Sequence, residues 1–533
     1  MAPLQGREPP MVVRSQYPDV DIPDLTLYDF LFASLDDADL DRVALVDGPT
    51  GETTTYRGLR AQVDAIAGAF AAHGIGVGDV VALHSPNSPA FASVFHGLLR
   101  AGATVTTLNA LSTGEEIARQ LSASQARALV TVSPLLAAAV EGAAAAGVSD
   151  VVVLDGAAGF PALADLLAVG APAPEVTLDP STHLAALPYS SGTMGLPKGV
   201  MLTHRNLVAN VVQALPPMGA APDEVIPAVL PFFHIYGMTV LLNLALHLRA
   251  RVVTLPRFDL AQFLDVCERE RATYLFVAPP MALALAKHPL VATRDLSSVR
   301  VVLSGAAPFD AGLADAVAQR LGVRVTQGYG MSEMSPVSHV VPVDRPDISS
   351  GSIGLLVPNM EARVVDPATG QDATTGELLC RGPNVMVGYL DDAAATRDAI
   401  DADGFLHTGD IVTIDEDGVF TVVDRLKELI KYKAYQVAPA ELEALLLRHP
   451  SIADAAVIGL PDDEAGEVPK AYVVPSAGAE LAPDDVAQYV AAHVAPYKKV
   501  RSVEFVEAVP KSASGKILRK QLRQLEQDRR AAL

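Results

Sequence analysis

The sequence predicts an α/β chain, with a large N-terminal domain of doubly wound, mainly parallel sheet and a small α+β domain behind it. Three observations carry this expectation. Short Val-rich runs alternate with helical patterns through the first half, which implies right-handed crossovers between parallel strands. Around residues 366–376 and 415–418, Asp/Gly turns separate short strands, as in hairpins. The length of 533 residues exceeds what one compact core holds, so two or more domains are expected.

Val80 to His84 reads as a strand, Ala90 to Ala101 as a helix stopped by Gly102, and Ala103 to Leu108 as the next strand. Thr113 and Glu116 have capping-box spacing, in which each side chain satisfies the other residue's backbone N–H, so a helix opens there. Ala128 to Val132 returns as a strand, and the Ala-rich stretch 137–145 is helical without evident chemistry. Met238 to Leu246 is the most apolar run, yet it is far shorter than the roughly 20 residues of a membrane-spanning helix and Asn243 interrupts it. It reads as a buried helix. Val299 to Leu303 is a further strand. Near Asp424 the pattern changes to a basic cluster and an amphipathic helix from Pro439 to Leu447, which marks a boundary before the last hundred or so residues.

Half the residues are hydrophobic and 19% are charged, a composition with ample core material. The net charge of -22 argues against nucleic acid or an anionic membrane surface as partner. Cys267 and Cys380 are too few for a disulfide framework, suit a reducing cytoplasm, and read as small core hydrophobes. No N-terminal apolar stretch follows a basic region, and the ending Ala531-Ala532-Leu533 lacks the peroxisomal tripeptide pattern. A cytoplasmic monomer or homodimer is expected.

The run YSSGTMGLPKGVMLTH, Tyr189 to His204, packs small hydroxyl residues, three glycines and Lys198 into one loop. Glycines let backbone N–H groups approach an anion, hydroxyls donate further hydrogen bonds, and the lysine adds a mobile charge. The spacing is not that of a Walker loop, since Pro197 precedes the lysine and Gly199 follows it. LPFFHIYG (230–237) sets His234 and Tyr236 among apolar residues, where a lone histidine is more often a satisfied core residue. LSGAAP (303–308) follows a strand, at the edge where open α/β sheets bind ligands, although an ordinary strand-to-helix turn has the same residue types. In GYGMSE (328–333) a glycine-flanked ring can stack on a purine, a serine can donate to phosphate, and a carboxylate can hold Mg²⁺. Asp410 of TGD and Arg425 of DR are separated by a predicted hairpin, and a carboxylate can accept both hydroxyls of a ribose. PKSASGK (510–516) presents Lys516 on a Gly/Ser loop that, taken alone, is a basic surface turn.

These motifs, in this order and spanning about 330 residues, resemble the adenylate-forming superfamily of acyl-CoA synthetases, luciferases and peptide-synthetase adenylation domains. LKELIKYK, QVAPAELE and LPFFHIYG look most like its 4-coumarate/cinnamate-CoA ligase branch. The resemblance implies a barrel-like subdomain beside the doubly wound sheets, a large domain over residues 1–426, and a small mobile domain over 427–533 with its hinge at Lys427. It assigns ATP or AMP contacts to Ser190, Ser191, Gly192, Thr193, Gly195, Lys198, Ala306, Ala307, Tyr329, Gly330, Ser332, Asp410 and Arg425, and a metal contact to Glu333. An acyl pocket is implied at His234, Tyr236, Ser304, Gly305, Gly330, Pro336 and Val337. The catalytic side chains implied are Lys516, Lys431, Gln436 and His234, with Lys433 and Ala434 on the passage for the CoA thiol. ATP, Mg²⁺ and CoA are the implied cofactors, and a small aryl acid is the implied substrate.

Two positions depart from the branch. Met194 stands where threonine is usual, and so removes a charge-assisted contact worth about 1.5–3 kcal/mol where it is made. Ala434 replaces a glycine and adds a methyl group at the thiol passage. An enzyme that no longer uses CoA well could pass its activated group elsewhere, as relatives that diazotise an aromatic amine through adenylated nitrite do.

Overall fold

Among the described residues of a computed structural model, four of the five sheets belong to the large N-terminal region, and the fifth lies beyond residue 429. The structure describes residues 11–190, 197–307, 309–426, 428–432, 435–462, 465–512 and 515–531, without the side chains of 435, 436, 530 and 531. The widest sheet runs parallel through Leu184–Ala186, Thr104–Thr107, Val80–His84, Ala128–Thr131 and Asp150–Val153. The antiparallel strand Lys198–Thr203 extends it. A second sheet sets Tyr274–Val277, Val301–Ser304 and Arg324–Gly330 in parallel, then adds Val337–Val340 antiparallel to the last.

The local signals act as read. Ser88 caps the helix Pro89–Arg100, Gly102 leaves it with φ +88, and Thr113 with Glu116 completes a capping box on Gly114–Ala123. Both cysteines are buried and free. Two elements differ in detail. The apolar run is a buried π-helix, Gly237–Asn243, continued by the α-helix Leu244–His247. Its first residue lies so close to Pro231 that a Cβ there would fall 2.0 Å from the carbonyl oxygen. The strand expected from Val299 begins at Val301, because the Val299 N–H closes a turn on the Leu296 carbonyl at 3.0 Å.

The hairpin region forms an antiparallel five-stranded sheet that includes Glu361–Val365, Thr375–Arg381, Leu406–Ile414 and Phe420–Arg425. Its pairing does not return to the first strand, so the ring is not closed among the described residues. Beyond it, Ile430, Val437, Leu442, Val457 and Val473 belong to a core separate from the large one. Asp424 crosses to this unit by accepting the Ala440 N–H at 3.0 Å, in the first turn of the helix Pro439–Leu447, where a carboxylate is favoured. Buried Glu443 on that helix meets Arg519 of the C-terminal helix at 2.6 Å, and Arg523 pairs with Glu428. No described helix is long and apolar enough to cross a membrane.

Candidate active site

Ser190 and Lys198 face each other as antiparallel partners and pinch the intervening loop at its base. Ser191, Gly192, Thr193, Met194 and Gly195 lie outside the described residues. From this base Ser190 donates its hydroxyl to Glu333 Oε1 at 3.0 Å, and Tyr389 donates to the same oxygen at 2.9 Å. Glu333 is 5% exposed, so both bonds act in a low-dielectric setting. Among the described residues no hydrogen bond falls on Oε2. One hard carboxylate oxygen is therefore left for a cation, which suits Mg²⁺, a metal commonly held by one or two carboxylates and substrate phosphates. No group of three His, Cys, Asp or Glu among the described residues offers an all-protein metal cage.

The strand pair Leu406–Ile414 and Phe420–Arg425 sets Asp410 directly opposite Arg425, with Nε to Oδ1 at 3.2 Å. Tyr329 donates its phenol to Asp410 Oδ2 at 2.5 Å, while its ring lies edge to face with His339 at 5.8 Å. Burial and the neighbouring Asp410 charge push the Tyr329 phenol well above its ordinary range, so it stays a donor. A platform, a carboxylate and a guanidinium are thus locked as one unit. Ala306, with φ +72, follows Ser304 and Gly305 at the C-terminal end of the strand Val301–Ser304.

On the apolar side, Tyr236 is 8% exposed and Ser304 fully buried, and among the described residues neither hydroxyl oxygen has a hydrogen-bond partner. A Cβ on Gly305 would meet the Tyr236 ring at 3.1 Å. Pro336 closes over Gly330 so tightly that a Cβ there would lie 2.0 Å from its carbonyl oxygen, with Val337 beside it. His234 accepts the Tyr236 N–H on Nδ1 at 3.3 Å. Desolvation, with Lys516 adding to it, holds this imidazole down at about 4, so it is neutral at pH 7 with its proton on Nε2.

Lys516 comes from the small unit. Gly515, at φ +82, turns the chain where an added Cβ would meet Pro280 at 3.1 Å, so the loop rests on the large region. Burial lowers the Lys516 ammonium to about 8, with Arg425 pushing the same way and Asp410 and Glu333 opposing. The structure therefore gathers Lys516, His234, Arg425, Asp410 and Glu333 around one space, although His234 and Lys516 come from opposite halves of the chain. Lys431 and Gln436 are cross-strand partners in the hairpin Ile430–Tyr432/Tyr435–Val437, and Lys431 is exposed with its N–H on Glu467. Lys431 does not join that group, and the Gln436 side chain lies outside the described part of the structure. Lys427, Lys433 and Ala434 lie outside the described residues, and Ser332 opens the short 3₁₀ turn that carries Glu333. Tyr389 escaped the sequence reading, because a Gly-Tyr pair in a short edge strand carries no local signal.

Residues 33–390 match the family model described as AMP-binding enzyme, and residues 441–516 match its C-terminal domain. The chain is 44% identical to 4-coumarate–CoA ligase 5 of Oryza sativa subsp. japonica, over 96% of this chain and 97% of that one. It is 41% identical to 4-coumarate–CoA ligase 1 of Petroselinum crispum, with 96% of each covered. Among solved structures, ATP-bound MatB from Rhodopseudomonas palustris superposes with a TM-score of 0.86 at 30% identity, over 94% of this chain and 99% of that one. Every motif described above lies within these matches. The chain belongs to the AMP-binding enzyme family.

Proposed function

We propose that this protein is an ATP-dependent acid–thiol ligase that activates a cinnamate- or 4-coumarate-like aryl acid as its acyl-adenylate and then transfers the acyl group to CoA. The observation that carries this is the arrival of Lys516 beside Arg425, Asp410, Glu333 and His234. Attack of the acid's carboxylate on the α-phosphorus expels pyrophosphate and concentrates negative charge on the equatorial oxygens. A positioned ammonium stabilises that charge electrostatically. His234, neutral with Nε2–H available, orients the carboxylate. Asp410 accepts the ribose hydroxyls, with Arg425 and Tyr329 holding it in place. Lys198, Ser190 and the loop 191–195 take the phosphates, Ser332 donates to one of them, and Ala306 and Ala307 back the adenine.

Mg²⁺, held by Glu333, would supply neutralisation of the triphosphate charge. Tyr236, Ser304, Gly305, Gly330, Pro336 and Val337 enclose the ring of the acid. An unsatisfied buried hydroxyl costs about 1–3 kcal/mol, so the Tyr236 phenol favours an acid with a para hydroxyl or amine over a fatty acyl chain. For the second step the domain over 427–533 turns about Lys427, withdraws Lys516 and brings Lys431, Gln436 and the Lys433–Ala434 passage to the same site. The setting is cytoplasmic, with the enzyme a monomer or homodimer. No described feature of the site favours the nitrite-activating alternative. The test is purified enzyme with ATP, Mg²⁺ and 4-coumarate, with and without CoA. Pyrophosphate release and thioester formation are expected; release with nitrite but never a thioester would replace the proposal by the diazotising activity.

A further inference from the structure

The phosphate-side lysine and the metal-side carboxylate lie on two sides of one ring that neither motif contains. Tyr389 occupies the two-residue strand Gly388–Tyr389, opposite Val200 on the strand that begins at Lys198. Its backbone is clamped on both sides, by Leu390 N–H to Gly199 O at 2.9 Å and Val387 N–H to Met201 O at 3.0 Å. Its own N–H is held by the Thr396 hydroxyl at 2.9 Å, within the helix Ala393–Ala399 that Asp392 caps. The backbone that carries the ring is therefore fixed in place.

From this seat the phenol donates to Glu333 Oε1 at 2.9 Å, while the Lys198 ammonium lies 4.9 Å from the ring centroid and 3.7 Å from Asp392 Oδ2. A buried carboxylate and a neighbouring ammonium would normally close into an ion pair, and both would then be lost to ligands. Among the described residues Lys198 pairs with Asp392 instead. That contact is half exposed, so it is screened and easily exchanged for a phosphate. The π-face attracts the ammonium and the phenol engages the carboxylate, so one side chain satisfies both groups and keeps them apart. Because the Ser190 and Tyr389 hydroxyls share Oε1, the carboxylate plane is set and Oε2 is turned free.

We propose that Tyr389 is a positioning residue that prevents Lys198 and Glu333 from pairing and aims Glu333 Oε2 at a metal–nucleotide. This rests on the nucleotide and metal roles proposed above for those two residues. It is tested by calorimetric binding of α,β-methylene-ATP, with Mg²⁺ and separately with EDTA, to the full-length wild type, Tyr389→Phe and Tyr389→Leu. Phenylalanine keeps the ring beneath Lys198 and removes only the bond to Glu333. It should lose roughly tenfold of the affinity that Mg²⁺ confers and bind as wild type in EDTA. Leucine, which also removes the ring, should weaken binding in both conditions. An unchanged Mg²⁺ gain in the phenylalanine variant, or equal weakening with and without metal, overturns the inference while nucleotide binding by wild type leaves the ligase proposal standing. A wild type that binds no nucleotide in either condition overturns both.

Discussion

Removal of Lys516 separates the two half-reactions. Enclosure lowers this ammonium to about 8 in the free protein, so at pH 7 the charged form predominates. The charge faces a site in which Arg425 is already committed to Asp410 at 3.2 Å. Loss of one preorganised group that stabilises transition-state charge costs about 10²–10³ in rate, and Lys516→Ala should slow adenylation by that factor. The sign of the pH dependence follows from the protonated form being the active one. In wild type, kcat/KM for adenylation should fall as pH rises through about 8, where an unperturbed lysine would hold its proton to about 10. Lys516→Arg should be slower but lose that fall, since guanidinium keeps its charge. The assay is isotopic pyrophosphate exchange from about pH 6.5 to about 9.5, paired with thioester formation from supplied aryl-adenylate. A wild-type profile that is flat across pH 8, or equal damage to both half-reactions in Lys516→Ala, refutes the reasoning.

Three further substitutions probe the site. Tyr329→Phe keeps the ring and deletes the 2.5 Å bond to Asp410, so KM for ATP should rise by about tenfold with kcat little changed. The same penalty with 2′,3′-dideoxy-ATP would show that the hydroxyl does not act through the ribose carboxylate. Gly305→Val drives methyl groups past a point already 3.1 Å from the Tyr236 ring, at an overpacking cost of about 1–3 kcal/mol. Competition between 4-coumarate and a short aliphatic acid should then swing toward the aliphatic one, and unchanged selectivity removes Gly305 from the pocket wall. Ala434→Gly should raise thioester turnover by about ten- to a hundredfold and leave CoA-free pyrophosphate release nearly unchanged; no gain means that the alanine methyl does not obstruct the thiol.

What the sequence determined by itself was local or ordered along the chain. The Thr113–Glu116 capping box, the strand Val80–His84 and the helix Pro439–Leu447 were legible because their bonds and periodicities span a few residues. Motif order was enough to nominate Asp410, Arg425, Glu333 and Lys516. The tertiary structure decided which of these share a space. The strand register sets Asp410 opposite Arg425, and the packing of the 515–516 turn on Pro280 delivers Lys516 while the Lys431 side chain stays exposed. The π-helical form of 237–243 and the bridge from Tyr389 to Glu333 and Lys198 left no sequence trace. The reason is physical. A hydrogen bond between distant side chains depends on sheet register, and the titration of Lys516 or His234 depends on the water and charge that the rest of the fold removes or supplies.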